Sequence, residues 1–343
     1  MLRRAIALAS LVAGLLLQGP AAGEAQTLAG RYTGVFPCAD CPGIAYRLDL
    51  FDDGAYFLRA TYLGRAAGER DRIGRWVLAT DGRTLVLADR RETVLYLEAI
   101  APGVLEKLDS AGLPIVAAHH HQLRRDPALA PIEPRTAMRG TFHYLADAAL
   151  FVDCASGLRL PVALEGAYVE LERAYLRLQR APGEPLMAEL AGRIAARPAI
   201  EGGAMVPTLV VERFDRFRPG VACAPAPANA PLAGTRWKLV GLAGQPVEAE
   251  GLVHVPHLVL DQERGTVSGA TGCNRLTGRH LSDGAAIRFE AIATTRMACA
   301  RGMATESGLL AALRDARRWR IAGDLLDLFD ADGRPAGRFA AER

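Results

Sequence analysis

Two cysteines stand two residues apart in Cys38-Ala39-Asp40-Cys41, bracketed by Pro37 and Pro42. A C-x-x-C pair can serve thiol–disulfide exchange, soft-metal binding or a covalent clamp. An exchange-active dithiol sits at the first turn of a helix, where the dipole lowers the pKa of the leading thiol. Here Pro42-Gly43 follows the second cysteine, a strand-like run begins at Ile44, and no cation is expected to flank the thiols. Asp40 adds a negative charge, which raises rather than lowers a nearby thiol pKa. Two thiolates suit Cu(I) but are too few for a structural tetrahedral zinc site. Cys38 and Cys41 are therefore candidate metal ligands, with copper the leading ion. Further ligands would come from Met297, Met303 or the cluster His119-His120-His121. That cluster is itself a candidate for loose capture of Cu(II), Ni(II) or Zn(II). In a strand its members would alternate faces and could not all chelate.

The clamp reading draws on all six cysteines, Cys38, Cys41, Cys154, Cys223, Cys273 and Cys299. An even count in an exported chain favours disulfides. Their order suggests the local pairs Cys38–Cys41, Cys154–Cys223 and Cys273–Cys299, one of about 15 possible connectivities. Loop-closure entropy assigns about 2, 3.5 and 4.4 kcal/mol to the first, third and second pair. Stability thus accounts least for the first pair.

Other motifs read as structure. Gly272-Cys273-Asn274-Arg275 lacks the spacing of a phosphate loop. Its glycines allow tight turns, and Asn274 tolerates the left-handed conformation. Arg296 is expected to pair with a buried acid or serve a partner. His254 and His257 read as turn and strand residues. Glu170 and Glu172 share a face of a strand but not of a helix. No Ser-His-Asp set or carboxylate pair stands out, so no catalytic or cofactor-binding residue is assigned. The chain is expected not to be an enzyme.

The elements that must position these residues are mostly strands. Residues 1–25 read as a secretory signal, with Arg3 and Arg4, an apolar run from Ala5 to Leu17 too short to span a bilayer, and Gly23-Glu24-Ala25 before Gln26. No cysteine near Ala25 can accept a lipid, so a soluble periplasmic monomer is expected. Losing Arg3, Arg4 and Glu24 removes two positive charges and one negative, taking the net charge from +3 to +2. That balance argues against nucleic acid or an anionic membrane as partner.

Residues 26–125 read as serial hairpins closing into a small barrel. Tyr46–Phe51 and Tyr56–Tyr62 alternate around Asp52-Asp53-Gly54, and further turns fall at Thr80-Asp81-Gly82 and Ala101-Pro102-Gly103. A linker follows, bounded at 126–136, and the histidines are read as linker residues along with the prolines at 127, 131 and 134. Residues 137–223 hold strands at 140–144 and 149–153, a short amphipathic helix from Val169, and a late strand from Leu209. An alanine-proline linker spans 224–231. Residues 232–343 hold strands around Trp237, His257, Ile287, Trp319 and Leu325. One helix is expected near Thr305, a plausible N-cap, with Leu309, Leu310, Leu313 and Ala316 as its apolar stripe.

The first unit resembles the N-terminal domain of the NlpE family of copper-resistance and envelope-stress proteins. Tyr32, Gly34, Pro37, Cys38, Asp40, Cys41, Gly43 and Ile44 carry the likeness, continued by Asp53-Gly54, Tyr62-Leu63-Gly64, Gly74-x-Trp76 and Leu105-x-x-Leu108-Asp109. The middle unit resembles the OB-like C-terminal domain of that family, through Phe151-Val-Asp-Cys154-x-x-Gly157 and a distant Cys223. The last resembles a META, or HslJ-like, domain. Its marks are Gly234-Thr-x-Trp237, Val267-Ser-Gly269, Gly272-Cys273-Asn274-Arg275, Gly278, Thr294-Thr295-Arg296-Met297-x-Cys299 and Glu306. The resemblance implies a mainly β protein: a small barrel, an OB-like barrel, and an antiparallel sheet with one helix. It implies envelope-stress response or copper homeostasis, with periplasmic signalling proteins as partners. A thiol-disulfide oxidoreductase using Cys38 and Cys41, or a structural adaptor, is the alternative.

Overall fold

The computed structural model describes residues 27–89, 92–116, 121–146, 148–199, 202–224, 228–248 and 250–342. The signal segment, His119 and His120 lie outside the described residues.

Alternating strands build the first module. They are β1 (Gly30–Phe36), β2 (Ile44–Leu50), β3 (Ala55–Tyr62), β4 (Glu69–Leu78), β5 (Thr84–Asp89), β6 (Glu92–Ala101), β7 (Val104–Lys107) and β8 (Gln122–Arg125). Each pairs antiparallel with its successor, and β8 returns to β1 through Tyr32↔Arg125 and Thr33↔Arg124, closing a barrel. At the β2–β3 turn Gly54 takes φ +85, and Asp53 Oδ1 accepts the Ala55 N–H at 2.9 Å. Closure leaves no sheet edge to be solvated. Tyr32, Leu48, Leu50, Tyr56, Leu85, Leu87, Leu97 and Leu105 fill the interior, so it is a packed core and not a ligand cavity. His121 directly precedes β8 and so lies at the entry to the closing strand rather than in the linker.

The β1–β8 seam is close. A Cβ on Gly34 would stand 2.2 Å from the Gln122 carbonyl oxygen. Gly34→Val is therefore expected to push β1 from β8 and cost about 1–3 kcal/mol. Urea unfolding measures this; an unchanged midpoint would show that the seam has slack.

The second module is a five-stranded sheet in the order β11-β10-β9-β12-β13. Its parts are β9 (Arg135–Leu145), β10 (Ala148–Asp153), β11 (Arg159–Pro161), α1 (Tyr168–Leu178), β12 (Leu186–Pro198) and β13 (Met205–Arg218). A parallel bridge from Val162 to Leu209 curls one edge toward the other. Helix α1 buries Tyr168, Leu171 and Tyr175, and the Tyr175 hydroxyl donates to the Glu184 carbonyl at 2.7 Å. Glu170 and Glu172 ride on this helix and do not form a carboxylate pair. The core continues into the barrel's outer wall, where Phe57, Ile73 and Ile132 join Phe142, Phe151 and Leu209. At that junction Asp49 accepts the Ile132 N–H at 2.8 Å, and Arg75 donates to the Ser156 carbonyl at 2.9 Å. Burial raises the Asp49 carboxyl above its ordinary pKa, despite the Ile132 N–H and the charges of Arg31 and Arg47.

The third module is a nine-stranded antiparallel sheet. It comprises β14 (Arg236–Leu242), β15 (Gln245–Pro246), β16 (His257–Asp261), β17 (Thr266–Ala270), β18 (Arg275–Asp283), β19 (Ala286–Thr294), α2 (Met303–Asp315), β20 (Arg318–Ala322), β21 (Leu325–Phe329) and β22 (Pro335–Glu342). β22 also pairs with β14, curling the sheet around α2. Helix α2 buries Leu309 and Leu313 against Trp237, Leu258, Leu326 and Phe339. It starts at Met303 after Gly302, not at Thr305. Gly302, with φ +100, packs so close to Gly272 that a Cβ would lie 3.2 Å from that backbone. Backbone proximity, rather than a side-chain cap, sets this start.

The third module docks on the first. Thr80 and Ile321 exchange two hydrogen bonds, from Thr80 N–H to the Ile321 carbonyl at 3.0 Å and from Ile321 N–H to the Thr80 hydroxyl at 2.8 Å. Asn229 bridges the Leu78 carbonyl and the Gly323 N–H, each at 2.8 Å. Ala79, Val86, Tyr96 and Leu108 pack against Ala322.

Candidate functional site

The turn from Pro37 to Gly43 joins two barrel strands whose register runs to Phe36↔Ile44. With the strand ends fixed, the turn is held at the barrel's rim, and the Leu63 N–H anchors it by donating to the Gly43 carbonyl at 3.0 Å. Cys38 and Cys41 form a disulfide with Cα atoms 5.3 Å apart. Cys38 Sγ lies 3.4 Å from Asp40 Oδ1; the bonded sulfur carries no hydrogen, so this is a contact. Ligand atoms of Cys38, Asp40 and Cys41 all fall within 4.8 Å of one another. Both cysteines are half-buried and Asp40 is exposed.

The expectation that no cation stands by the pair is corrected by the fold. Arg65, after the β3 strand, reaches back to Asp40 in an ion pair. The same guanidinium lies 5.7 Å from the Tyr62 ring centroid. Its charge faces the Asp40 carboxylate. What the turn offers after reduction is two soft sulfurs and one carboxylate oxygen, a donor set that fits a thiophilic ion.

Of the other candidate ligands, His121 comes near this end of the barrel, its ring 5.8 Å from that of Phe36. Met297 and Met303 belong to the third module, where both side chains are exposed. His257 is engaged elsewhere, with Nε2 2.7 Å from Arg236 Nη1 and Nδ1 2.8 Å from the Val255 carbonyl. Arg296 is exposed, and among the described residues it makes no ion pair with a buried acid.

Two further disulfides join Cys154 to Cys223 and Cys273 to Cys299, with Cα separations of 5.2 and 5.9 Å. Around Cys273 the expected left-handed Asn274 is absent, since its φ is not positive. Asn274 is instead the buried hub of a polar network. Its Nδ2 donates to the Glu306 carboxylate at 3.0 Å and to the Met297 carbonyl at 3.1 Å, while its Oδ1 accepts the Thr295 hydroxyl and the Met297 N–H, each at 2.8 Å. The Thr271 hydroxyl also donates to Glu306. A buried carboxylate without a cation is costly unless its lone pairs are satisfied, and these donors satisfy them. The signal in sequence was a glutamate three residues before Leu309 on the apolar stripe of α2.

Three disulfide-stapled modules, the first a closed barrel presenting a Cys–Asp–Cys turn, define a modular, mainly β protein of the kind that matures under oxidising conditions. Family comparison matches the NlpE N-terminal domain over residues 32–118, the NlpE C-terminal OB domain over 132–224 and the META domain over 230–343. Lipoprotein NlpE of Escherichia coli (strain K12) is 33% identical over 204 residues, spanning 59% of this chain and 84% of that protein. The chain belongs to the NlpE family and carries a META domain in addition.

Among solved structures, the Cpx pathway activator NlpE from Escherichia coli is 31% identical, covering 57% of this chain and 98% of that one, with a TM-score of 0.26. A protein from Burkholderia xenovorans solved by NMR is 28% identical, covering 36% and 97%, with a TM-score of 0.28.

Proposed function

We propose that this chain is a non-enzymatic, periplasmic protein of the envelope-stress response that binds copper at the Cys38-Asp40-Cys41 turn. The observation that carries the reading is the three-donor cluster within 4.8 Å on a rim turn. Family membership supports the exported, stress-related setting. No helix among the described residues is long and apolar enough to cross a membrane.

The disulfide must open before the sulfurs can ligate. A thiol reductant supplies two electrons and two protons, giving two thiols. Cu(I) then binds their thiolates as the protons leave. Thiol–disulfide exchange has less support, because the turn runs from strand to strand with no helix dipole to stabilise a thiolate.

The test is a competition titration of Cu(I) against a chromophoric chelator, after mild reduction of the folded chain that opens Cys38–Cys41 and leaves the other two disulfides closed, as thiol counting verifies. About one Cu(I) per chain is expected, lost in Cys38→Ser/Cys41→Ser and kept in Cys273→Ser/Cys299→Ser. Undiminished binding by the first variant overturns the reading.

A further inference from the structure

The interface between barrel and META domain contains a cavity of about 430 Å³ with a mixed polar and apolar lining. Asp81, Arg83, Thr84 and Glu98 line it from the barrel, and Arg318, Arg320 and Phe329 from the META sheet. This lies within the size range of small-molecule sites, which occur preferentially at domain interfaces.

Strand alternation aims its charges. In β20, Trp319 and Ile321 pack on the META core, so Arg318 and Arg320 share the opposite face, toward the barrel. Arg320 is 8% exposed. Its Nη2 donates to Asp327 at 2.8 Å and to the Gly112 carbonyl at 3.0 Å, and its Nη1 reaches the Thr84 hydroxyl at 3.3 Å. Its Nε is buried and has no partner. Asp327 is shared, because its other oxygen takes Arg338 Nε at 2.6 Å. Asp81 stands only within 4.0 Å of Arg320, its near oxygen already accepting the Thr84 hydroxyl at 2.6 Å.

The remaining charges leave one cation over. Arg83 is paired with Glu98 at 3.1 Å. Arg318 is exposed, lines the cavity and has no carboxylate within pairing distance among the described residues. Phe329 gives an apolar wall, with the Arg320 guanidinium 5.3 Å from its ring centroid. The Arg320 Nε has no surface open to the cavity, so Arg320 contributes charge rather than a free donor; the unpaired Arg318 guanidinium at the mouth, with that charge behind it, is the group that can recognise a planar or tetrahedral oxyanion.

We propose that this interdomain cavity binds a small ligand through an oxyanion group, carboxylate or phosphate, held by Arg318 at the mouth with the charge of Arg320 behind it. Neither module forms the cavity alone, so the bound ligand bridges barrel and META domain. The site is separate from the Cys38–Cys41 turn and does not depend on the copper reading.

The experiment is isothermal titration of the purified full chain with potassium phosphate and, separately, with sodium succinate, at constant ionic strength and with chloride as reference. One of the two is expected to bind saturably at one site, and the one that does distinguishes phosphate from carboxylate chemistry. Arg318→Ala is expected to weaken that binding at least about tenfold, the loss of one charge-assisted hydrogen bond. Arg264→Ala, on an exposed turn of the same module, is expected to leave it unchanged. Arg318 is exposed, so its removal spares the fold; an unaltered melting curve for the free variant confirms that. No saturable binding of either anion overturns the proposal, and so does binding that Arg318→Ala leaves intact.

Discussion

Asp327→Ala is expected to lower the stability of the META module by about 3–5 kcal/mol and to release it from the barrel. Asp327 is buried, with one carboxylate oxygen on Arg320 and the other on Arg338. These three residues stand side by side on β20, β21 and β22, in the register Arg320↔Asp327↔Arg338. Both arginines continue into the barrel, Arg320 to the Gly112 carbonyl and Arg338 to the Ala111 carbonyl. Burial opposes the charge of Arg338, but its hydrogen bond to Asp327 and that carboxylate's charge raise its pKa above the ordinary arginine value. Removing the carboxylate strands two guanidiniums against each other in a poorly solvated interface. Urea unfolding followed by tryptophan fluorescence reads the loss, since Trp237 and Trp319 both lie in this module. Solution scattering reads the undocking as a larger radius of gyration. If both curves overlay those of the parent, the arginine pair does not depend on Asp327 and the account of the interface is wrong.

Breaking the Cys154–Cys223 disulfide is expected to cost more than breaking Cys38–Cys41. The first closes a chain segment with a sequence separation of 69, the second one of only 3. On chain-entropy grounds Cys154→Ala/Cys223→Ala loses about 4.4 kcal/mol, while Cys38→Ala/Cys41→Ala loses about 2. The comparison is made by urea unfolding without reductant, so that the remaining bonds stay formed. Equal losses, or a larger one for the rim pair, would mean that the Cys38–Cys41 bond is held for its mechanical effect on the barrel. The predicted asymmetry would leave the rim disulfide free to open with little cost to the fold, which suits a site that must be reduced before it ligates.

The modular build was legible because it rests on local patterns. Tyr46–Phe51 and Tyr56–Tyr62 alternate around Asp53-Gly54, and that is enough to specify a hairpin. The Leu309, Leu313, Ala316 stripe likewise specifies α2, although its start does not follow from propensity: Gly302 against Gly272 decides it through packing that no window contains. Arg65 beside Asp40 was hidden for the same reason, since β2 and β3 must pair before residue 65 returns to residue 40. Asp327 lay in a run, Leu325-Leu-Asp-Leu-Phe329, whose polar position reads as solvent-facing. A neighbouring domain covers that face, and its covering is invisible to alternation. Asn274 read as a turn residue because Asn between glycine-rich segments usually is one; the buried Glu306 recruits it into a network instead.

The linker into the META domain is fastened at both ends: Cys223 by its disulfide and Asn229 by hydrogen bonds to Leu78 and Gly323. Short tethers of this kind present one surface to another at millimolar effective concentration. The docking interface can therefore stay closed with an intrinsic affinity far weaker than two separate proteins would need.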